Sequence, residues 1–393
     1  MKLSTALILI AVIVLTTTTT LAAFIHIKKP KGPVHPNSYI VVLKSGTNME
    51  AHIKGITQVS TRNPGSEFSV TYQYEHKFLN GYSAHATGAS LTRILSRFEV
   101  AYVESDVIIS IDHDLHEVNE RDVAEHDNVS VKMEECDKAP IEALIYAVDT
   151  GIKINHADLE GRASWGTVVG GGSTEDLIGH GTATAAIAVG KLYGIATHAR
   201  IIAVKVSSDD NGKTSLDYIL QGLHFIFGQF LFNNHLHPSV TLMCISLPPS
   251  SAIADAVKEM IATGMHVVVS AGNNKMDASN SIPQSVDGVN TIGAINGKTN
   301  MIASFSNYGS VIIAFAPGVN IRTAGIRSNT ESVRKSGTSM AAAFVAGVFG
   351  EVLGQAAAEI RPADLTRGLK IHGDEVVEGQ PTGTTKLRAP LPW

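Results

Sequence analysis

The sequence predicts an α/β fold: a mostly parallel sheet with helices on both faces, preceded by a small α+β domain. Three observations lead there. From about Pro140 onward, apolar strand-like runs alternate with Ala- and Gly-rich helical stretches, the texture of a parallel sheet covered on both sides. Residues 38–112 mix short strand and helix signals in a span too small for the same architecture. Between the two, residues 113–139 are acidic and hold little that could pack.

The 393 residues leave room for two or three domains. With 44% hydrophobic and 17% charged residues, the chain is not a disordered polyelectrolyte. A formal net charge of −5 gives no electrostatic case for binding nucleic acid. Two cysteines exclude a disulfide scaffold and a four-thiolate zinc site.

Residues 1–23 read as a secretory signal. Lys2 precedes the apolar run Ala6 to Leu15, a threonine tract follows, and Leu21-Ala22-Ala23 offers small residues for cleavage. An uncleaved membrane anchor is the rival, since the uncharged stretch is long enough to span a bilayer. Either way the chain is expected in the secretory pathway. Lys28 to Asn37, basic and Pro-containing, reads as a linker. Tyr39 to Leu43 is a β-branched strand, Thr71 to Ala86 gives more strand, Ala89 to Phe98 spaces Leu91, Ile94 and Leu95 like a helix face, and Ala101 to Ile111 returns to strand. Asp112 to Asp127 sets seven acidic residues against one arginine, as a solvated and cuttable segment would. Asn128-Val129-Ser130 is a glycosylation sequon. Beyond Pro140, strands are expected at Leu144 to Val148, Ile201 to Val206, Val240 to Leu247, His266 to Ser270 and Thr291 to Ala294. Helices are expected at Leu216 to Phe227, Ile253 to Thr263 and Met340 to Glu351.

Three motifs carry chemistry. Asp149-Thr150-Gly151 ends an apolar strand. Gly179-His180-Gly181-Thr182 leads into the small-residue run Ala183 to Ala188. Ser336-Gly337-Thr338-Ser339-Met340-Ala341 opens a second small-residue helix. In open α/β sheets, reacting groups gather at the carboxyl ends of strands. A serine hydroxyl needs a base, histidine is suited to that work near neutral pH, and a carboxylate behind the ring fixes its tautomer. Asp149, His180 and Ser339 are therefore the candidate catalytic residues. Asp-Thr-Gly also marks aspartic proteases, but these need a second such carboxylate. None occurs here, so that reading demands a symmetric dimer and leaves His180 and Ser339 idle.

With these motifs the chain resembles the subtilases, the subtilisin-like serine proteases, in their proteinase K-like branch. Further stretches carry the likeness: Asn155 to Ala163, Ala203-Val204-Lys205-Val206, Ala271-Gly272-Asn273-Asn274, Ser304 to Gly309, and Ala316-Pro317-Gly318. The resemblance spans about Ala143 to Lys370 and implies a subtilisin-like catalytic domain over residues 140–393. It implies an oxyanion donor at Asn273, with the Ser339 N–H as the second, and a substrate-binding strand at Ser246, Leu247 and Pro248, with Gly272 beside it. Tyr39 to Lys44 and Val103 to Asp106 resemble the start and end of the subtilase inhibitor propeptide. That implies an intramolecular inhibitor over residues 38–112, released by self-cleavage in the acidic linker.

Departures from the family pattern bear on the site. Pro248-Pro249 replaces Gly-Gly on the substrate strand and removes N–H donors. Ala343 stands where a proline usually follows the serine motif, and Ala183 where a second histidine is common. Ile312 and Ile313 stand where a calcium-binding Asp is frequent, and isoleucine cannot ligate a hard cation. No calcium site is readable, and no organic cofactor is implied. Glu134, Glu135 and Cys136 do not show the usual start of the mature enzyme. Cys136 and Cys244 could form one bridge, or Cys244 could stay a buried thiol in its apolar run. The expected protein is a secreted, monomeric serine endopeptidase made as a self-processing proenzyme and acting on proteins or peptides. Its alternative is a catalytically impaired binding or regulatory protein on the same fold.

Overall fold

The computed structural model describes residues 24–111, 142–207, 212–233, 236–356 and 358–393. The expected signal, the whole acidic linker, the Asn128 sequon and Cys136 lie outside the described residues. In chain order the elements are β1 (Ile27–Lys28), β2 (Val34–Leu43), α1 (Met49–Arg62), β3 (Phe68–Gln73), β4 (Gly81–Ala86), α2 (Gly88–Leu95) and β5 (Val100–Ser110). There follow β6 (Leu144–Asp149), β7 (Ala163–Val168), α3 (His180–Val189), β8 (Arg200–Lys205), β9 (Lys213–Ser215), α4 (Leu216–Phe232), β10 (Ser239–Met243), α5 (Ser251–Ala262) and β11 (His266–Ser270). The chain continues through β12 (Asn290–Ile295), β13 (Ile312–Pro317), β14 (Ile321–Ala324), β15 (Ser332–Lys335), α6 (Thr338–Gln355), α7 (Pro362–His372), β16 (Asp374–Glu375) and β17 (Leu387–Arg388).

The large sheet runs β16-β17-β13-β12-β11-β10-β6-β8-β7, and every pairing in it is parallel except β16 with β17. Its central strands β6, β10 and β11 are buried at every position because both faces are covered. Along β6, Ile145 and Ala147 point to one face and pack with α3 and α6, while Leu144, Tyr146 and Val148 point to the other, with α4 and α5. Every residue of α3 is buried: its small apolar residues pack, and its polar side chains at His180, Thr182 and Thr184 are hydrogen-bonded. The sheet order reverses at β6: the next two strands lie to one side of it, and β10 to β13 to the other. The crevice at that reversal, at the carboxyl ends of the strands, is where this architecture places a site.

The N-terminal unit is an antiparallel sheet, β5-β2-β4-β3. One face packs under α1 and α2 through Val41, Leu43, Ile56, Tyr82, Ile94 and Val103. The other face, with Ile40, Val42, Tyr74, Phe78 and Leu79, shares a core with α4 and α5 of the large unit. A short strand of the large unit, β9, extends this sheet by pairing with Ile108 to Ser110 of β5.

Two expectations are corrected. Lys28 to Asn37 is no linker: β1 pairs in parallel with β5, matching Lys28 to Glu104, and β2 already begins at Val34. Its lysines and proline hide the anchoring role of Ile25 and Ile27, which pack on the N-terminal core. The strand expected at Val240 to Leu247 stops at Met243. Beyond it, Leu247 leaves the ladder to bridge Ile282, and two prolines follow. Helix α1 has no apolar stripe in the sequence, because only His52 and Ile56 of its face are buried; the Asn48 side chain caps it by accepting from the Ala51 N–H at 2.9 Å.

Candidate active site

Asp149 is the last residue of β6, His180 the first of α3, and Ser339 the second of α6. A side chain at Gly347 would meet the Ala188 carbonyl at 2.7 Å, so α3 and α6 touch backbone to backbone there. At their starts, Ser339 lies against Cys244, just past the end of β10, and His180 against Asp149, at the end of the neighbouring β6. The helices therefore run alongside in the same direction, and both N-termini open on the rim that Asp149 occupies.

His180 Nδ1 is 2.7 Å from Asp149 Oδ1, with both side chains buried. A carboxylate only accepts, so Nδ1 carries the hydrogen and Nε2 is the basic nitrogen of the neutral ring. Asp149 Oδ1 also accepts from the Thr150 N–H at 2.7 Å, and Oδ2 from Thr184 Oγ1 at 3.4 Å. Only glycine fits at position 181, where a Cβ would meet the Gly151 carbonyl at 2.1 Å.

Asn273 is fixed by its own oxygen. Oδ1 accepts the Thr338 N–H at 2.9 Å, which assigns the amide orientation and leaves Nδ2 as the donor end. Thr338 Oγ1 in turn accepts the Gly272 N–H at 3.0 Å. The residue before Ser339 is thus clamped to the segment that carries Asn273. Gly272 has φ +97° and would crowd Asn307 if it carried a side chain. Asn307 holds the whole turn: it donates to Ala271 O at 2.8 Å and accepts from the N–H groups of Asn274 and Met276.

Ser246 lies against Gly272, its Oγ 3.5 Å from where a Cβ would sit. Leu247 is buried, and its N–H is spent on Ile282 O at 2.8 Å. Pro248 and Pro249 have no N–H to offer. These four residues, with Asn274, Met276 and Ile282, line a cleft of about 890 Å³. The arrangement can take a proton from a hydroxyl at the start of α6, return it to a leaving group, and place an amide donor beside the reacting carbon.

Residues 142–373 match the subtilase family, and residues 38–112 match the peptidase inhibitor I9 family. The chain belongs to the subtilase family. It is a serine endopeptidase made as a proenzyme. It is 33% identical over 372 residues to a subtilisin-like protease of Coccidioides posadasii, covering 90% of this chain and 91% of that one. Subtilisin-like protease 1 of Pseudogymnoascus destructans is 32% identical over 375 residues, covering 92% and 91%. Among solved structures, a cold adapted subtilisin-like serine proteinase superposes with a TM-score of 0.60 at 28% identity, over 72% of this chain and 97% of that one. Membership in the subtilases leaves no place for the paired-carboxylate reading of Asp149.

The inhibitor unit of this subtilase seats two carboxylates on two helix N-termini. Glu104 accepts from the Ser251 N–H at 2.7 Å, from Ser250 Oγ at 2.7 Å and from the Ala252 N–H at 3.4 Å, all at the start of α5. Asp106 Oδ1 accepts the Asp217 N–H at 3.0 Å, at the start of α4. Burial pushes the Asp106 carboxyl above the usual carboxylate range, although the bond from Asp217 N–H opposes it. Tyr74 Oη donates to Asp217 Oδ1 at 2.9 Å. These roles were not legible in the sequence, where Glu104 and Asp106 are only the end of a propeptide-like strand.

Asp176 was also missed. It is buried and accepts five hydrogen bonds around the start of α3. Its one sequence cue is a place four residues before His180. Ile312 and Ile313 lie in β13, Ile312 within the core, and no cluster of three or more His, Cys, Asp or Glu suited to a metal occurs among the described residues. Cys244 is buried and its thiol faces the Ser339 carbonyl at 3.6 Å. No helix among the described residues is long and apolar enough to cross a membrane.

Proposed function

We propose that Ser339 is the nucleophile, His180 the general base and then acid, Asp149 the group that orients His180, and Asn273 with the Ser339 N–H the oxyanion donors. Ser339 attacks the scissile carbonyl while Nε2 takes its proton. The tetrahedral oxyanion is held by Asn273 Nδ2 and the helix N-terminus. His180 then protonates the leaving amine, and water cleaves the acyl-enzyme by the same route. The 2.7 Å bond from His180 to Asp149, made beside the N-terminus of a parallel α6, carries this reading. Ser246, Leu247, Pro248 and Gly272 would border the bound peptide; with Leu247 and both prolines contributing no free N–H, side-chain contacts in the cleft weigh more than main-chain pairing.

The same reading has the chain secreted as a monomer after loss of residues 1–23, cut by itself within residues 113–139, and then inhibited by its own residues 38–112. The experiment is a fluorophosphonate probe on the processed protein. Labelling is expected on Ser339 and lost in His180→Ala, and Ser339→Ala is expected to persist as uncut precursor, with peptidase activity down by on the order of 10⁴-fold or more. Absence of labelling, or labelling elsewhere, refutes the assignment. Normal maturation of Ser339→Ala expressed alone refutes self-cleavage.

A further inference from the structure

We propose that Asp176 is a positioning residue that holds both partners of the Asp149–His180 bond in register. The proposal rests on the catalytic roles assigned above. Helix α3 begins on Gly179, which has φ +82° and no side chain to cap the helix. Asp176 supplies the missing acceptors from outside. Its Oδ1 accepts the N–H groups of Ile178 at 3.2 Å and Gly179 at 2.8 Å. Its Oδ2 accepts the Thr182 N–H at 2.9 Å and the Thr182 hydroxyl at 2.5 Å. His180 is thus bracketed on both sides by backbone tied to one carboxylate.

The same Oδ1 accepts the Thr150 hydroxyl at 2.9 Å, and Thr150 is the residue after Asp149. Thr150 Oγ1 then accepts the Gly181 N–H at 3.1 Å, closing a ring that links the end of β6 to the start of α3 without passing through the catalytic pair. An N-cap satisfies helix donors and no more. Asp176 does that and also fixes the strand end that bears His180's partner.

The loop that carries Asp176 is itself pinned. Lys205, across from Asp149 in the sheet, donates from Nζ to Ser173 O at 3.0 Å and to Glu175 O at 2.6 Å. The charged groups around the ring are then Asp149, Asp176 and Lys205, with the Ser339 hydroxyl from α6. The two carboxylates favour a protonated His180 and the ammonium opposes it. Asp176→Asn takes away one of these two negative charges, which the pH profile of the variant reads directly.

Asp176→Asn in the full-length chain tests this. The carboxamide turns a donor toward the Thr182 N–H, so the clamp opens while volume is kept. We expect kcat per titrated active site to fall about 10²-fold, the scale for a reacting group displaced by about 1 Å. KM should stay within a few-fold, and the acidic limb of kcat/KM should move to lower pH. Thr150→Val removes only the bridging hydroxyl and should give a several-fold loss of kcat in the same direction. It decides the question if Asp176→Asn does not fold. Parental kcat and pH profile per active site in a folded variant overturn the proposal, as does activity lost only in proportion to folded protein. His180→Ala separates the failures: if it still labels at Ser339 with the fluorophosphonate, the catalytic assignment is wrong, whatever Asp176 does.

Discussion

The two units bury their sheets in different ways. The catalytic sheet is covered on both faces by its own helices, α3 and α6 below and α4 and α5 above. One of its buried histidines, His266, is pushed down to about 4 by burial, so that ring stays neutral across neutral and mildly acidic pH. The inhibitor unit covers only one face with α1 and α2. Its other face, with Tyr74, Phe78 and Leu79, is covered by helices of the enzyme it inhibits. A unit this small is marginal when it must expose half its apolar surface. The enzyme therefore completes its inhibitor's core, and the inhibitor's stability is tied to occupancy of the enzyme.

That dependence is testable where charge and apolar docking meet. Glu104 and Asp106 cap α5 and α4, and a hydrogen bond to a charged group contributes about 1.5–3 kcal/mol. Glu104→Ala with Asp106→Ala is expected to speed dissociation of the cleaved inhibitor by about 10²-fold, near tenfold for each residue, read as earlier appearance of peptidase activity after processing. Dissociation as slow as in the parent would mean that the apolar face alone does the docking.

How far this was legible follows from the same contrast. Leu144 to Val148 and His266 to Ser270 read as buried strands because a sheet covered on both faces needs unbroken apolar runs. The three residues proposed as the triad drew notice in the sequence because glycines and small residues surround His180 and Ser339, where helices must approach closely. Contacts between the units left no such trace. Tyr74 and Asp217 lie 143 residues apart, and nothing local in either marks the other. Asp176 sits in Thr174-Glu175-Asp176, an ordinary polar loop by composition. Helix α1 turns His52 inward, bonded to Glu99 at 3.1 Å and Tyr82 at 3.0 Å, so its buried face lacks the apolar spacing that marks a helix.

A smaller effect is expected with pH, and it sharpens the contrast between the two units. His224 of α4 sits where the inhibitor docks, beside a cavity of about 340 Å³. The Glu75 N–H donates to its Nε2 at 3.2 Å, and Tyr72 Oη lies 2.9 Å from Nδ1. An N–H cannot accept, so docking requires the neutral ring, with Nδ1–H donating to the phenol. Burial lowers the His224 pKa, and the Glu75 carboxylate works against that. Among the described residues, Glu75 is the charged group that faces it from the inhibitor; Tyr72 and Tyr74 are titratable neighbours, and Asp217 of α4 is bound to Tyr74. The docked pKa is below the ordinary 6.5, so the docking contribution is complete above that pH and is lost as pH falls through the docked value. Dissociation should quicken from pH 7 to 5 by at most about tenfold per pH unit. Asp106, raised by burial in the docked complex, works in the opposite direction, since protonation at low pH relieves its burial cost. His224→Gln, which can still donate and accept, should flatten the dependence on acidification. A slope unchanged in that variant would assign the sensitivity elsewhere, with His52 in the inhibitor core, also lowered by burial, as the next group to test.

The smallest effect belongs to the segment before the matched inhibitor domain, which begins at residue 38. Strand β1 lies on the edge of the inhibitor sheet, and Lys28 reaches across to the enzyme. Its Nζ donates to Ser251 Oγ at 2.6 Å and stands 4.1 Å above the Tyr102 ring, whose hydroxyl donates to Asp255 at 2.7 Å. Lys28 to Lys31 also form one wall of the cleft beside Ser246 to Ser251. A cation over a partly exposed ring contributes about 1 kcal/mol, and the hydroxyl bond is solvated. Lys28→Ala should therefore speed dissociation only about two- to fivefold, with no change in kcat of the freed enzyme. An effect as large as that of the Glu104 and Asp106 pair would invert the comparison. The inhibitor would then be held by its edge strand, and the apolar face borrowed from the enzyme would matter for folding the inhibitor rather than for retaining it.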